Sequence, residues 1–129
     1  VTLQAWPDGE RALCDLLASL GTTGTETPAT LESETPYIRV TRTGGSDDHR
    51  ATDTGTFSID VFATGATTAK AAAEQVRQTL LTGLPAQTDH GQLDWAFTDV
   101  GPQLLPPSDT DNLRLAVASY KISMRRVPQ

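Results

Sequence analysis

The chain has 129 residues, ten of them lysine or arginine and sixteen aspartate or glutamate, for a formal charge of −6; 37% are hydrophobic and few are aromatic. That length suits one domain, residues 1–129, with a small core of Leu, Val, Ile and Ala that needs no disulfide or structural metal. The acidic balance argues against a protein that grips nucleic acid by neutralising phosphates, and the single cysteine, Cys14, excludes an internal disulfide or a CxxC site.

No run of about 18 apolar residues and no charged-then-apolar leader occurs, so the chain is expected to be soluble and cytoplasmic when made, with no membrane contact. The first predicted element is a helix over about residues 8–20. Leu13, Leu16, Leu17 and Leu20 fall on one stripe, Pro7 suits its entry and Gly21 its stop. Cys14 reads there as a small apolar residue. The stretch "GTTGTETPAT" that follows has no helical period and predicts a loop leading into an extended segment.

"YIRVTRT" alternates apolar and polar residues and predicts a strand over about 36–43; "TFSIDVF" does the same over about 56–62. Their connection, Gly44 to about Gly55, is expected to be far longer than a tight turn. "TTAKAAAEQVRQTLLTG" predicts a helix over about 67–82, capped by Thr67 or Thr68, striped by Ala69, Ala72, Ala73, Val76 and Leu80, and ended by Gly83. A strand over about 93–98 should carry Leu93, Trp95 and Phe97 on one face. "GPQLLPPSDTDN" should be a loop, because its prolines cannot serve a central ladder. A last strand over about 113–124 has Leu115 and Val117 on one side and Ala116, Ala118, Tyr120, Ile122 and Met124 on the other. Together these predict an α+β domain with a mainly antiparallel mixed sheet of four to five strands flanked by two helices.

The densest cluster of charge and glycine is "TRTGGSDDHRATD", residues 41–53. A metal-dependent hydrolase would use Asp47, Asp48, His49 and Asp53, but these ligands follow one another on one connection, and neither the calcium-loop spacing nor HExxH is present. His90 lies in a different polar stretch. No G-x-S-x-G elbow and no P-loop ending occurs, and Asp94 and Asp99 should point to opposite faces of an ideal strand. No catalytic residue, metal or cofactor is expected. A sheet in this element order leaves edges exposed, and pairing with identical neighbours would close a ring. Asp47, Asp48 and Arg50, the Asp109–Asp111 stretch, Arg125 and Arg126 offer opposite charges for such contacts.

In order and spacing, "YIRVTRTGGSDD", "TDTGTFSIDVFATG", "AKAAAEQVRQTLL" and "GPQLLPPSDTDNLRLAVASYKISMRR" resemble the tail terminator (tail completion) proteins of long-tailed phages, particularly those of actinobacteria, over about residues 36–126. The resemblance implies a non-enzymatic virion protein with a mixed sheet flanked by helices. It would be a homo-hexameric ring at the neck of the tail, assembled in the host cytoplasm. The ring caps the head-proximal end of the tube, stops further addition of the tail tube protein, and offers a docking surface to the head-tail connector or stopper protein. DNA passes through its lumen without specific binding. By position, Gly44, Gly45, Ser46, Asp47, Asp48, His49, Arg50 and Asp53 correspond to the family's long strand-connecting loop, expected to touch tube or neighbour, while Arg42 and Arg114 are candidates for intersubunit ion pairs. A different neck component, such as the head-tail stopper itself, would share these features.

Overall fold

The computed structural model describes residues 6–107 and 113–126. The elements in chain order are α1 (Gly9–Leu17), β1 (Thr22–Gly24), a 3-10 turn (Leu31–Ser33), β2 (Tyr37–Asp47), β3 (Thr52–Thr64), α2 (Ala66–Thr82), β4 (Ala86–Thr88), β5 (Gly91–Leu104) and β6 (Leu113–Arg125). The strands form one mixed sheet in the order β1-β2-β3-β6-β5-β4, so it has six strands and not four to five. The additional two, β1 and β4, are three residues long, too short to show a period of two. β1 pairs with β2 in parallel; every other pairing is antiparallel.

α1 begins where the Asp8 carboxylate accepts a hydrogen bond from the Arg11 amide at 3.2 Å. It stops at Leu17, three residues before the expected end. Its last turn tightens into i→i−3 bonds, Ala18 N to Asp15 O and Leu20 N to Leu17 O, which turn the chain toward β1. Leu13 and Leu17 are fully buried while Leu16 and Leu20 pack only partly against the core. α2 starts at Ala66, with Gly65 at φ 86 as its cap and no side-chain cap bond. Thr67 and Thr68 therefore lie inside the first turn and are not caps. Gly83 closes the helix through a bond from its amide to Thr79 O at 2.8 Å.

Both helices lie on the same face of the sheet. Ala12, Leu13 and Leu17 of α1 and Ala73, Val76 and Leu80 of α2 join one cluster with Ile38, Val40, Phe57, Ile59, Val61, Leu93, Ala116, Ala118, Tyr120, Ile122 and Met124. The alanines of α2 bring its axis close to β3, β5 and β6. β6 is the centre of the fold: it is laddered along its whole length to β3 and over most of it to β5. Neither helix covers the opposite face, where Tyr37 donates to Glu26 O and Arg39 to Thr27 Oγ1 in the segment after β1.

Two sequence expectations fail in instructive ways. β2 runs on to Asp47 and β3 starts at Thr52, so the connection is the four-residue turn Asp48–Ala51 and not a loop from Gly44 to Gly55. A register shift between Arg42 and Gly44 absorbs Thr43 as a bulge, and Gly45 continues the strand at φ 106, so the glycines prolong the ladder. β5 likewise extends through Gly101–Leu104, expected as loop. Pro102 is accommodated because β5 has only β6 as neighbour there and the register shifts between Val100 and Gln103.

Tyr120 tests the core. Its side chain is fully buried and its hydroxyl meets no hydrogen-bond partner among the described residues, while burial pushes its pKa up to about 12. A buried hydroxyl without a partner opposes folding. Tyr120→Phe should leave the unfolding free energy unchanged or raise it by up to about 1 kcal/mol. Tyr120→Ala should lower it by about 3–5 kcal/mol. Urea denaturation followed by circular dichroism measures both.

Candidate functional site

The β2–β3 hairpin end is built by its own carboxylates. Asp48 Oδ1 accepts from the amides of Arg50, Ala51 and Thr52 at 2.9, 3.0 and 3.1 Å, and Asp47 Oδ1 accepts from His49 N at 2.7 Å. His49 takes φ 66, the left-handed conformation the turn requires, and its imidazole lies 3.4 Å from Asp47. The backbone amides first of all hold the Asp48 carboxyl below its ordinary pKa.

Four of the expected residues therefore part company. Asp47 and Asp48 serve the turn, and His49 is exposed. Asp53, one of the few buried charged residues, is the ladder partner of Asp47, and both its oxygens meet Arg42 at 2.6 and 2.7 Å. No group of three or more His, Cys, Asp or Glu among the described residues is placed to hold a metal ion. The donor geometry does not fit a hydrolytic centre, because one carboxylate is held by amides and another by a guanidinium.

Arg42 joins several contacts. Its guanidinium forms the two-pronged pair with Asp53, lies 5.8 Å from the Phe57 ring centroid and donates to Gly44 O at 3.1 Å, while its amide donates to Glu10 Oε2 at 2.8 Å. The Asp53 bond raises its pKa. The candidates Arg42 and Asp53 thus meet each other within the chain. Arg114, at the far end of β6, donates to Leu105 O at 3.2 Å. Gly44, Gly45, Ser46 and Arg50 are exposed. Arg125 pairs with Asp94 at 2.9 Å, and Arg126 lies 3.9 Å from the Trp6 ring centroid. The Asp109–Asp111 stretch lies outside the described residues.

The sheet has two open edges. β1 covers β2 only at Tyr37–Arg39, and β4 covers β5 only at Gly91–Leu93. Beyond Arg42 the edge of β2 borders an open hollow of about 660 Å³, lined by Pro7–Glu10 of the α1 entry and by Arg42–Gly45.

The other edge holds residues the sequence reading placed wrongly. The register shifts between Leu93 and Trp95, so Leu93 faces Met124 in the core while Trp95 faces Ser123 on the helix-free side. Leu93 is 0% exposed, but Trp95 is 40% and Phe97 53% exposed, and their rings stack at 4.5 Å with planes 13° apart. All three were expected on one face; one extra residue at Asp94 reverses that. A second shift past Thr98 has a similar effect on Asp99. Asp94 reaches Arg125 and Asp99 reaches Ser119, so the two aspartates meet the same face of β6, not opposite faces. Nothing in the local sequence marks these bulges.

A polar cleft of about 630 Å³ lies between α1, β1 and the β4–β5 turn, where His90 Nδ1 is 2.8 Å from Asp15 Oδ2. Cys14 borders it. Burial pushes its thiol pKa up, the opposite of an activated nucleophile. No helix among the described residues is long and apolar enough to cross a membrane.

No protein-family model matches the sequence, and no curated protein matches it. Among solved structures, the fold is similar to a chain of the "Virion of native gene transfer agent (GTA) particle". The TM-score is 0.65 at 18% identity, and the match covers 90% of this chain and 93% of that one. At that identity the likeness is one of fold.

Asp48 makes the hairpin end sensitive to acid. A carboxyl whose folded pKa is depressed contributes stability above its unfolded pKa and loses it as pH falls through the folded value. Hydrogen exchange at the amides of Arg50, Ala51 and Thr52 should accelerate as pH falls below the ordinary carboxylate range, corrected for intrinsic rate. Asp48→Ala should abolish the protection at neutral pH. Arg42→Ala, which strands Asp53, should cost about 1–3 kcal/mol, less than a wholly buried pair because the Arg42 side chain is 30% exposed. Denaturant titration measures the latter.

Proposed function

We propose that the chain is a structural virion protein of the tail-terminator kind. It forms a homo-hexameric ring that caps the head-proximal end of the tail tube, ends addition of tube subunits and offers the surface for joining the head. The observation that carries this reading is the fold likeness, nearly end to end, to a chain of a gene transfer agent virion. The quoted words in tail-terminator order support the narrower role.

The edges supply a physical reason for ring formation. Between β2 and β5 lie three antiparallel steps, β2 to β3, β3 to β6 and β6 to β5, so β2 and β5 run in opposite directions. Copies set side by side in one orientation would bring antiparallel edges together. Such a contact uses different surfaces on the two partners, and a series of them closes when the rotation divides the circle. In this reading the hairpin end from Gly44 to Asp53, with Arg42 and Arg114, contacts a neighbouring copy or the tube. The protein resides in the neck of the virion, and its role is structural, not catalytic. An acidic bore lets DNA slide through without being gripped.

Native mass spectrometry of purified protein, alone and with tube ends, should find six copies, and antibody labelling of intact particles in electron micrographs should mark the tube's head-proximal end. Labelling on the head side of that junction would assign the chain to the stopper position. A chain that stays monomeric and never enters particles would overturn the reading altogether.

A further inference from the structure

We propose that the stacked Trp95–Phe97 pair of one copy packs against the Gly44–Ser46 strip on the β2 edge of the next copy. The inference rests on the ring reading and names the contact that closes it.

Three observations converge on it. The bulge at Asp94 turns two large aromatic side chains out of the core and onto an uncovered sheet face, at the margin where β5 has no neighbour beyond Leu93. Stacked aromatics near a sheet edge favour burial against a partner, and aromatic side chains dominate the centres of protein contacts.

The ladder also fixes what lies at the same height on the opposite edge. Phe97 is opposite Lys121, Lys121 opposite Thr56, and Thr56 opposite Gly44; Trp95 is related in the same way through Ser123 and Thr54 to Ser46. When two copies stand side by side without axial offset, the open flank of Phe97 therefore meets Gly44. That position is exposed, and a Cβ added there would meet nothing within 4 Å. On that face Gly44 has no side chain and Ser46 only a small one, so a ring can lie flat there, as aromatic residues cover glycines in paired strands.

The charges complement one another. Lys121 is exposed beside Phe97 and forms no ion pair among the described residues, and the exposed Arg125 follows on the same face of β6. Asp47 and Asp48 end the strip on the neighbour, so the contact brings an acidic strand end toward Lys121 and the Arg125–Asp94 pair.

Disulfide trapping tests the contact. In a Cys14→Ala background, protein carrying Gly44→Cys is mixed with protein carrying Phe97→Cys under mild oxidant. The expected product is a mixed disulfide between the two proteins, with little self-linking of either. Phe97→Ser should weaken association on the order of tenfold by sedimentation velocity while lowering the thermal unfolding temperature of the monomer only slightly, by the lost stacking on Trp95. Gly44→Trp, which fills the strip, should weaken it at least as much. Rings that form without the mixed disulfide and survive both substitutions overturn this contact and leave the ring reading standing. A chain that neither assembles nor cross-links overturns both. Quenching of Trp95 fluorescence by a single-stranded oligonucleotide, measured in a Trp6→Phe background, would assign the aromatic face to nucleic acid instead.

Discussion

The inner strands of this sheet are eleven to fourteen residues long, and the strands that close it are three residues each. Hydrogen bonding along an edge has to be satisfied somewhere, by a strand, a side chain, water or another chain. α1 supplies part of the answer on one side, where Glu10 accepts the Arg42 amide. Past that point the β2 edge is left to solvent or to a partner, and β5 is in the same condition past Leu93. The twin glycines, the acidic turn, the bulges and the stacked aromatics gather along these two stretches.

The one-sided packing has a related consequence. Because both helices lie on a single face, each strand residue belongs either to the core or to the open face, and an inserted residue moves a side chain from one to the other. β2 carries its bulge before the glycines, and β5 carries irregularities after Leu93, Thr98 and Val100. β6, between β3 and β5, carries its apolar row Ala116, Ala118, Tyr120, Ile122 and Met124 inward without interruption. A regular centre flanked by irregular margins lets the surface be shaped without disturbing the core.

Legibility in the sequence follows the same division. α1, α2 and the cores of β2, β3 and β6 declared themselves through periodicity, since Leu13 and Leu17, Val76 and Leu80, or Ile38 and Val40 recur at the spacing of a buried face. β1 and β4 were hidden by length: three residues acquire strand geometry only from the partner beside them. The hairpin end was misread because Gly44 and Gly45 look like punctuation, whereas the ladder continues through them on the support of β3. Of the candidate site, the Gly44–Asp53 cluster was visible as composition, but the Arg42–Asp53 pair was not, because it depends on cross-strand geometry. Trp95 and Phe97 went unnoticed as a surface feature because strict alternation put them on one face with Leu93, and the bulge at Asp94 is a product of register with β6.

Charge sets a limit on how such a protein can associate. Six copies would carry 6 × (−6) = −36, and the mutual repulsion of that assembly favours separation until salt screens it over a Debye length of about 8 Å. Attraction between copies therefore has to come from short-range terms, apolar burial and edge pairing, with opposite charges placed only where chains touch. Acidic residues end the β2–β3 hairpin beside the exposed Arg50, while Lys121 and the Arg125–Asp94 pair stand near the aromatics across the sheet. A uniformly acidic exterior would keep copies apart at every approach. In the proposed contact, the exposed Lys121 beside Phe97 is the cation that meets the acidic hairpin end of the next copy.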